Sequence, residues 1–169
     1  MLINELMKGL KKTLERTPSN AVRTATAQLL QHMYTEEVTL SKDNDLDIMD
    51  ELVKLLDHEA QEVRQAMWNT INTMVKVLGP KGADHALHRF LPVLRSGISR
   101  LKEKGRLSDP DWCLSGLNVP KGLDPFVEVY QRALLKGTED LREEGATALG
   151  ELIDVSRQDV LQKKIIVIT

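Results

Sequence analysis

The sequence predicts an all-α protein, on two observations that agree along the chain. Apolar residues recur at three- and four-residue spacing almost everywhere, and period-two alternation is rare. Helix-ending glycines interrupt this spacing at Gly79, Gly105 and Gly137, and Asp124-Pro125 fits an N-cap followed by a first-turn proline. The predicted helices span residues 3–15, 20–35, 46–57, 60–78, 84–104, 124–136 and 139–155, and an eighth begins near residue 158.

Three of these helices begin with the same pattern, which indicates an internal repeat. Arg23 and Arg64 are 41 residues apart, and Arg142 follows 78 residues later, close to two steps of 39. Each arginine follows Val or Leu, and apolar residues come seven and ten positions after it, on one helix face. A shorter amphipathic helix precedes each of the three. A period near 40 with two helices per unit is the signature of HEAT or armadillo arrays, in which stacked hairpins share a core.

The repeat predicts a single array segment with one irregular step. Its parts are a first hairpin over 3–35, a second over 46–78, an extra helix over 84–104, an insertion loop over 106–122, a third hairpin over 124–155 and the start of a truncated helix over 158–169. The loop holds two prolines and two glycines and has no helical period. A loop of this length in a helical chain is functional or partly disordered.

Composition excludes several classes of protein. Of the 169 residues, 23 are Lys or Arg and 25 are Asp or Glu, so the balance argues against a dedicated nucleic-acid domain. The single cysteine, Cys113, cannot form an internal disulfide, which fits a reducing compartment. The N-terminus does not have the pattern of a signal peptide, and no apolar run is long enough to span a bilayer. We therefore expect a soluble, cytoplasmic protein with no membrane partner.

The three repeated arginines are predicted to be structural. Each is placed to lie along the seam between repeats and to bond acidic side chains or loop carbonyls of the adjacent unit. Asp57 could serve Arg64, but Thr17 and Lys136 occupy the corresponding place in the other two units, so a ladder of such pairs is incomplete. The alternatives are a solvated surface position or a direct contact with a ligand.

No constellation of residues predicts catalysis, a metal or a cofactor. His85 and His88 are three residues apart on a predicted helix, but no spacing supplies the further ligands that zinc needs. Cys113 has no neighbouring histidine to activate it. The sequence also lacks a glycine-rich phosphate loop. We expect a protein that is not an enzyme and takes no small-molecule substrate.

Two features are candidates for partner binding. Lys8, Lys11 and Lys12 fall on one helical face and could meet ribosomal RNA through phosphate contacts, although a solvated face is the better explanation, since Glu5 and Glu15 interrupt the stripe. Trp112, beside Asp111 in the long loop, is either an exposed interface anchor or a cover for the seam left by the missing helix. The predicted partner-binding residues are therefore Trp112, Asp111, Lys8 and Lys12.

The last 50 residues resemble one family. The run from "GLDPFVEVY" through "EEGATALGELI" to the terminal "VIT" is similar to a segment of the general-control translational activator, a very large eukaryotic HEAT protein. Upstream, "VRQAMWNTINTMVKVLG" and "VRTATAQLLQHMYT" fit the preceding repeats, so the resemblance covers residues 20–169. Residues 80–110 depart from the family pattern, as does the Asp111-Trp112 dipeptide.

The resemblance implies a fragment of the C-terminal region of that activator. Its expected role is a non-catalytic scaffold that supports activation of the starvation kinase of initiation factor two alpha. The implied partners are the N-terminal domain of the kinase and, for the full-length protein, the ribosome. The alternative that shares the same fold is a HEAT or armadillo adaptor in nuclear transport or phosphatase assembly.

Overall fold

The computed structural model describes residues 2–38, 40–80, 87–106 and 124–155. Within these ranges the chain forms seven α-helices and no β-strand, so the predicted all-α class is confirmed. The helices are α1 (Leu2–Arg16), α2 (Asn20–Thr35), α3 (Lys42–Lys54), α4 (Gln61–Leu78), α5 (Leu91–Glu103), α6 (Asp124–Lys136) and α7 (Glu139–Val155). Short 3-10 segments cover Leu55–Asp57 and Leu87–Phe90. The chain divides into two compact units, Met1–Ala86 (unit 1) and Leu87–Thr169 (unit 2).

Unit 1 consists of two stacked helical hairpins. Helix α3 packs on α1, and α4 packs on α2, which is the most extensive helix pair in the unit. Aliphatic residues form the core between them, because each of the four helices buries one apolar face against its neighbours. Fully buried examples are Leu14, Leu30, Leu52, Met67 and Ile71. Stacking therefore buries apolar surface that one hairpin alone would leave in water.

Unit 2 contains the hairpin of α6 and α7, with α5 and its preceding 3-10 turn packed beside it. The rings of Phe126 and Tyr130 meet edge to face, with centroids 6.2 Å apart at an angle of 75°. Gly145 lets α7 approach α6 closely, since a Cβ there would lie 3.0 Å from the backbone nitrogen of Leu134. This close approach fixes the position of α7 on α6.

Two helix starts differ from the sequence prediction. Helix α3 begins at Lys42, not at 46, because the Ser41 side chain caps it by accepting a hydrogen bond from the Asn44 N–H at 3.2 Å. The α-helix predicted from 84 begins only at Leu91, after the 3-10 turn Leu87–Phe90. Pro92 lies in its first turn, where the absence of an N–H removes no helical hydrogen bond.

Three predicted features fall partly or wholly outside the described residues. These are the insertion loop over 106–122, of which only Arg106 is described, the truncated helix over 158–169, and the first three residues of the helix predicted over 84–104. Whether both units belong to one array stays a prediction. None of the helices in the described ranges combines the length and apolar character that crossing a bilayer requires.

Candidate functional site

Arg64 lies in the first turn of α4 and is almost completely buried, with 3% of its surface exposed. Its Nη1 donates hydrogen bonds to the carbonyl oxygens of His58 and Glu59, both at 2.8 Å. Hydrogen bonds from a charged donor are stronger than neutral ones, so this side chain fixes the loop between α3 and α4. Arg64 thus holds together its own hairpin.

Arg23, the equivalent residue of α2, links two hairpins. Its Nε donates to the Leu14 carbonyl oxygen at 3.2 Å, near the end of α1. Its Nη1 lies 3.3 Å from Nε2 of His58, in the loop of the second hairpin. Arg23 and Arg64 therefore both contact His58, one from each hairpin.

His58 is the residue on which these contacts converge. Its Nδ1 accepts a hydrogen bond from the Ala60 N–H at 3.0 Å, just before α4 begins. Burial is the main cause that lowers the pKa of His58, and the positive charges of Arg23 and Arg64 lower it further. The carboxylates of Glu59 and Glu62 act in the opposite direction. The neutral imidazole is thus the form that fits this seam.

Arg142, the third repeated arginine, is exposed at the start of α7. Its backbone N–H donates to the Thr138 carbonyl oxygen at 2.8 Å, as a first-turn residue does. Within the described ranges, its side chain forms no ion pair. The same sequence position is therefore buried in α4, half-buried in α2 and exposed in α7.

The predicted basic face of α1 is largely matched by acidic neighbours. Lys8 pairs with Glu5 at 3.0 Å, and Lys11 pairs with Asp47 of α3 at 3.6 Å. Lys12 is exposed and has no ion pair with any residue that the structure describes. Exposed pairs such as Lys8–Glu5 are weak and compete poorly with a charged partner. Lys8 and Lys12 thus remain accessible on the surface of α1.

The other predicted partner-binding residues, Asp111 and Trp112, lie outside the described residues, as do Cys113 and His85. Over the ranges that the structure describes, no three His, Cys, Asp or Glu side chains are grouped so that they could hold a metal ion.

The sequence prediction did not find an ion-pair cluster in unit 2. Arg95 of α5 donates two hydrogen bonds of 2.8 Å to the carboxylate of Glu151, and its Nη1 lies 3.5 Å from Glu144. The hydrogen bonds from Arg95 lower the pKa of Glu151. The partners are 56 and 49 residues away in sequence and lie off the repeated positions, so no local pattern pointed to them. The cluster joins α5 to α7.

Unit 1 has its own link that the sequence did not reveal, between Tyr34 and Asp45. The buried Tyr34 hydroxyl donates to Asp45 Oδ1 at 2.8 Å and thereby joins α2 to α3. Burial first, and then the charge of Asp45, raises the pKa of Tyr34. The Tyr34–Asp45 hydrogen bond in unit 1 and the Arg95 ion-pair cluster in unit 2 thus each hold two helices together.

Comparisons with known proteins identify the family of this chain. The family described as "Stalled ribosome sensor GCN1-like, HEAT repeats" matches residues 1–121. The chain belongs to this family. Its match covers the two hairpins of unit 1 and continues through α5, which confirms the HEAT repeat that the spacing of the arginines predicts.

A distant relative extends the likeness over the rest of the chain. "Protein ILITYHIA" of Arabidopsis thaliana is 26% identical over 172 residues, which cover 99% of this chain and 6% of that protein. The chain therefore spans only a small part of the length of this curated relative. No solved structure matches the chain. The assignment to the C-terminal region of the activator stays a prediction.

Proposed function

We propose that this chain is a protein-binding scaffold segment of a translational regulator and has no catalytic role. In this proposal it supports activation of the initiation factor two alpha kinase on ribosomes during amino-acid starvation, in the cytoplasm. The observation that carries the proposal is the match of residues 1–121 to HEAT repeats of the GCN1-like stalled ribosome sensors. The proposed partners are the N-terminal domain of the kinase and the ribosome.

The stacked hairpins support a scaffold role on physical grounds. Side chains that connect helices, such as Arg64 and Tyr34, are buried and hydrogen-bonded within the fold. They stabilise the shape and are not accessible to a substrate. Solenoids of this kind present extended surfaces to other proteins, and binding by such a surface needs no reacting group.

The first experiment tests the kinase partner. The purified 169-residue chain is immobilised and incubated with the N-terminal domain of the kinase. We expect retention of that domain, and no retention of a nuclear transport cargo or a phosphatase catalytic subunit. Retention of either of these in place of the kinase domain would contradict the proposal and favour the adaptor alternative.

A second experiment tests ribosome association through the accessible lysines of α1. Phosphate contacts make binding salt-dependent, so reversing the charges of Lys8 and Lys12 should weaken co-sedimentation with ribosomes and flatten its salt dependence. The matched control reverses Lys42 and Lys76, which are also exposed and give the same change in net charge. Equal losses in the two double variants would show non-specific attraction and would remove α1 from the proposed ribosome contact.

The third experiment tests whether Trp112, in the predicted insertion loop, contacts the kinase domain. Trp112→Ala should weaken binding to the kinase domain if Trp112 is an interface anchor, since buried aromatic residues dominate many interfaces. Leu135→Ala is the control, because Leu135 is exposed on α6 and is not among the predicted partner-binding residues. Unchanged binding by Trp112→Ala, with unchanged thermal stability, would exclude Trp112 from the kinase interface.

A further inference from the structure

The second helices of the two hairpins in unit 1 carry almost no charge. Residues 24–35 of α2 and 65–75 of α4 include no Asp, Glu, Lys or Arg, although these four types make up 28% of the chain. Helices α1 and α3, the first helices of the same hairpins, carry charged side chains along their exposed sides. Exposed charge in unit 1 is thus concentrated on α1 and α3, whereas the middle of α2 and of α4 is neutral.

Amide side chains occupy the same two positions of these neutral stretches. Gln28 and Gln31 of α2 are matched 41 positions later by Asn69 and Asn72 of α4, and Gln65 lies one turn before Asn69. Gln28 and Asn69 are exposed, and the other three are half-buried. Three- and four-residue spacing places the amides of each helix on one face, away from the side that is buried in the core. We call these five side chains the amide face.

The packing of α4 on α2 makes the amide face one surface. The Thr70 hydroxyl of α4 donates to the Ala27 carbonyl oxygen of α2 at 3.0 Å, so the middle turns of the two helices lie side by side. Gln28 directly follows Ala27, and Asn69 directly precedes Thr70. A ligand that crosses both helices therefore meets amides from both hairpins.

The amide face offers hydrogen-bond donors and acceptors to a partner. The Gln28 side chain forms no hydrogen bond with any residue that the structure describes. Gln65 donates to Asn69 Oδ1 at 2.9 Å, which holds the Asn69 side chain and leaves its NH2 group to donate. Asn72 donates to the Trp68 carbonyl oxygen at 3.3 Å, which leaves its own Oδ1 to accept. Both kinds of group are thus present on one neutral surface.

This chemistry fits the main chain of a polypeptide. Nucleic acid requires cations for its phosphates, and a membrane surface requires an apolar or basic face, and the amide face is neither. Each residue of a polypeptide offers one N–H and one C=O, which a single amide side chain can meet together. In the helices and sheets of a folded protein these groups are already paired, so the matching partner is an extended segment. A neutral face is also easier to dehydrate than a charged one.

The third hairpin does not repeat the amide face. The stretch of α7 equivalent to 24–35 is 143–154, and it contains four carboxylate side chains. Thr147 and Gly150 stand at the two amide positions. The amide face is therefore a property of unit 1 and not a general consequence of the repeat.

We propose that the amide face binds an extended, uncharged segment of a partner protein through the main chain of that segment. This proposal rests on the proposed function in one respect, that the chain is a protein-binding scaffold. Packed helices lie about 8–10 Å apart, and an extended chain advances about 3.3 Å per residue. Amides on α2 and α4 therefore reach main-chain groups about three residues apart.

The experiment selects peptides on the whole chain. A phage-displayed library of random short peptides is enriched on the immobilised protein, and we expect the selected peptides to lack charged residues and proline at their centres. N-methylation of single main-chain nitrogens in a synthetic copy removes a donor and keeps every side chain. It should weaken binding by at least about tenfold at positions that face the amides.

A double variant assigns the binding to the amide face. Gln28→Ala combined with Asn69→Ala should weaken binding of the selected peptide by at least about tenfold in fluorescence anisotropy. The matched control combines Asn4→Ala with Gln131→Ala, which also removes two exposed amides, one from α1 and one from α6. Thermal melting followed by circular dichroism checks that both variants stay folded.

Three results overturn the proposal: no peptide is selected, the selected peptides are strongly charged, or the double variant binds the peptide as tightly as the wild type does. Failure of this proposal is distinguishable from failure of the proposed function. A chain that retains the kinase domain but binds no peptide keeps the scaffold role and loses the peptide site. A chain that binds peptides through the amide face but does not retain the kinase domain keeps the peptide site and loses the kinase partner.

Discussion

Helices α4 and α7 share the repeat positions, but their surroundings differ. In α4, Val63, Trp68 and Ile71 are all buried, and α4 packs on both α2 and α3. In α7, the residue equivalent to Trp68 is the exposed Ala146. Within the described residues, α6 covers one side of α7, and α5 contacts α7 through Arg95. The repeat sequence thus sets the helix and its inner face, and the neighbouring helices decide what the other positions do.

Trp68 should show this difference most strongly. Trp68→Ala removes a large, buried side chain from the middle of unit 1, so we expect a loss of about 3–5 kcal/mol in the free energy of unfolding. Ile153→Ala on the half-exposed side of α7 should cost less than about 1 kcal/mol, because much of its side chain already contacts water. Urea denaturation followed by circular dichroism measures both. Similar losses in the two variants would contradict the comparison.

The second largest difference in stability is expected between variants of Arg64 and Arg142, which occupy the equivalent position of the repeat. Arg64→Met keeps the apolar stem but leaves the carbonyl oxygens of His58 and Glu59 without their donor, at a cost of about 2–3 kcal/mol. Arg142→Met changes an exposed side chain and should alter stability by less than about 0.5 kcal/mol. The same denaturation experiment applies. An Arg142 variant as unstable as the Arg64 variant would show that an arginine at this repeat position contributes the same stability whether its side chain is buried or exposed.

Two glycines of α7 separate its packed side from its open side. Gly145→Ala places a Cβ 3.0 Å from the Leu134 nitrogen and should destabilise the protein by about 1–2 kcal/mol, despite the better helix propensity of alanine. Gly150→Ala meets no atom within 4 Å and should stabilise it by up to about 1 kcal/mol. Opposite shifts in melting temperature are the expected result. Shifts of the same sign would show that α7 does not approach α6 at Gly145.

The sequence predicted local features, such as helix bounds, more accurately than contacts between residues far apart in the chain. Helix bounds were well predicted where apolar period and helix-ending residues agree, as in α6 and α7, whose predicted and observed ranges coincide. The predicted start of α3 was wrong because Ser41 was not recognised as an N-cap. The Arg95–Glu151 pair was missed because its partners are distant and not repeated. Repetition thus identified the stacking positions, whereas contacts made once in the chain have no sequence counterpart to reveal them.

The smallest expected effect is the pH dependence of stability that arises at His58, in the contact between the two hairpins of unit 1. Within the described residues, α7 takes part in no equivalent contact. Burial, together with Arg23 and Arg64, lowers the pKa of His58 against the partial compensation of Glu59 and Glu62. A histidine with a lowered folded pKa binds its proton more tightly when unfolded. Unfolding is therefore favoured as the pH falls below the unfolded pKa of about 6.5, and the loss of stability levels off below the folded pKa.

His58→Asn should reduce this dependence on pH. Asparagine can accept the hydrogen bond from the N–H two residues later, as Nδ1 of His58 does from Ala60, but it does not titrate. The pKa of His88 in unit 2 is also lowered, by burial and by Arg89, so part of the pH dependence remains in the variant. Melting temperatures measured between about pH 7.5 and about pH 5 test this, because the histidines titrate in that range. If the wild type and His58→Asn lose the same stability, protonation of His58 does not weaken the contact between the two hairpins.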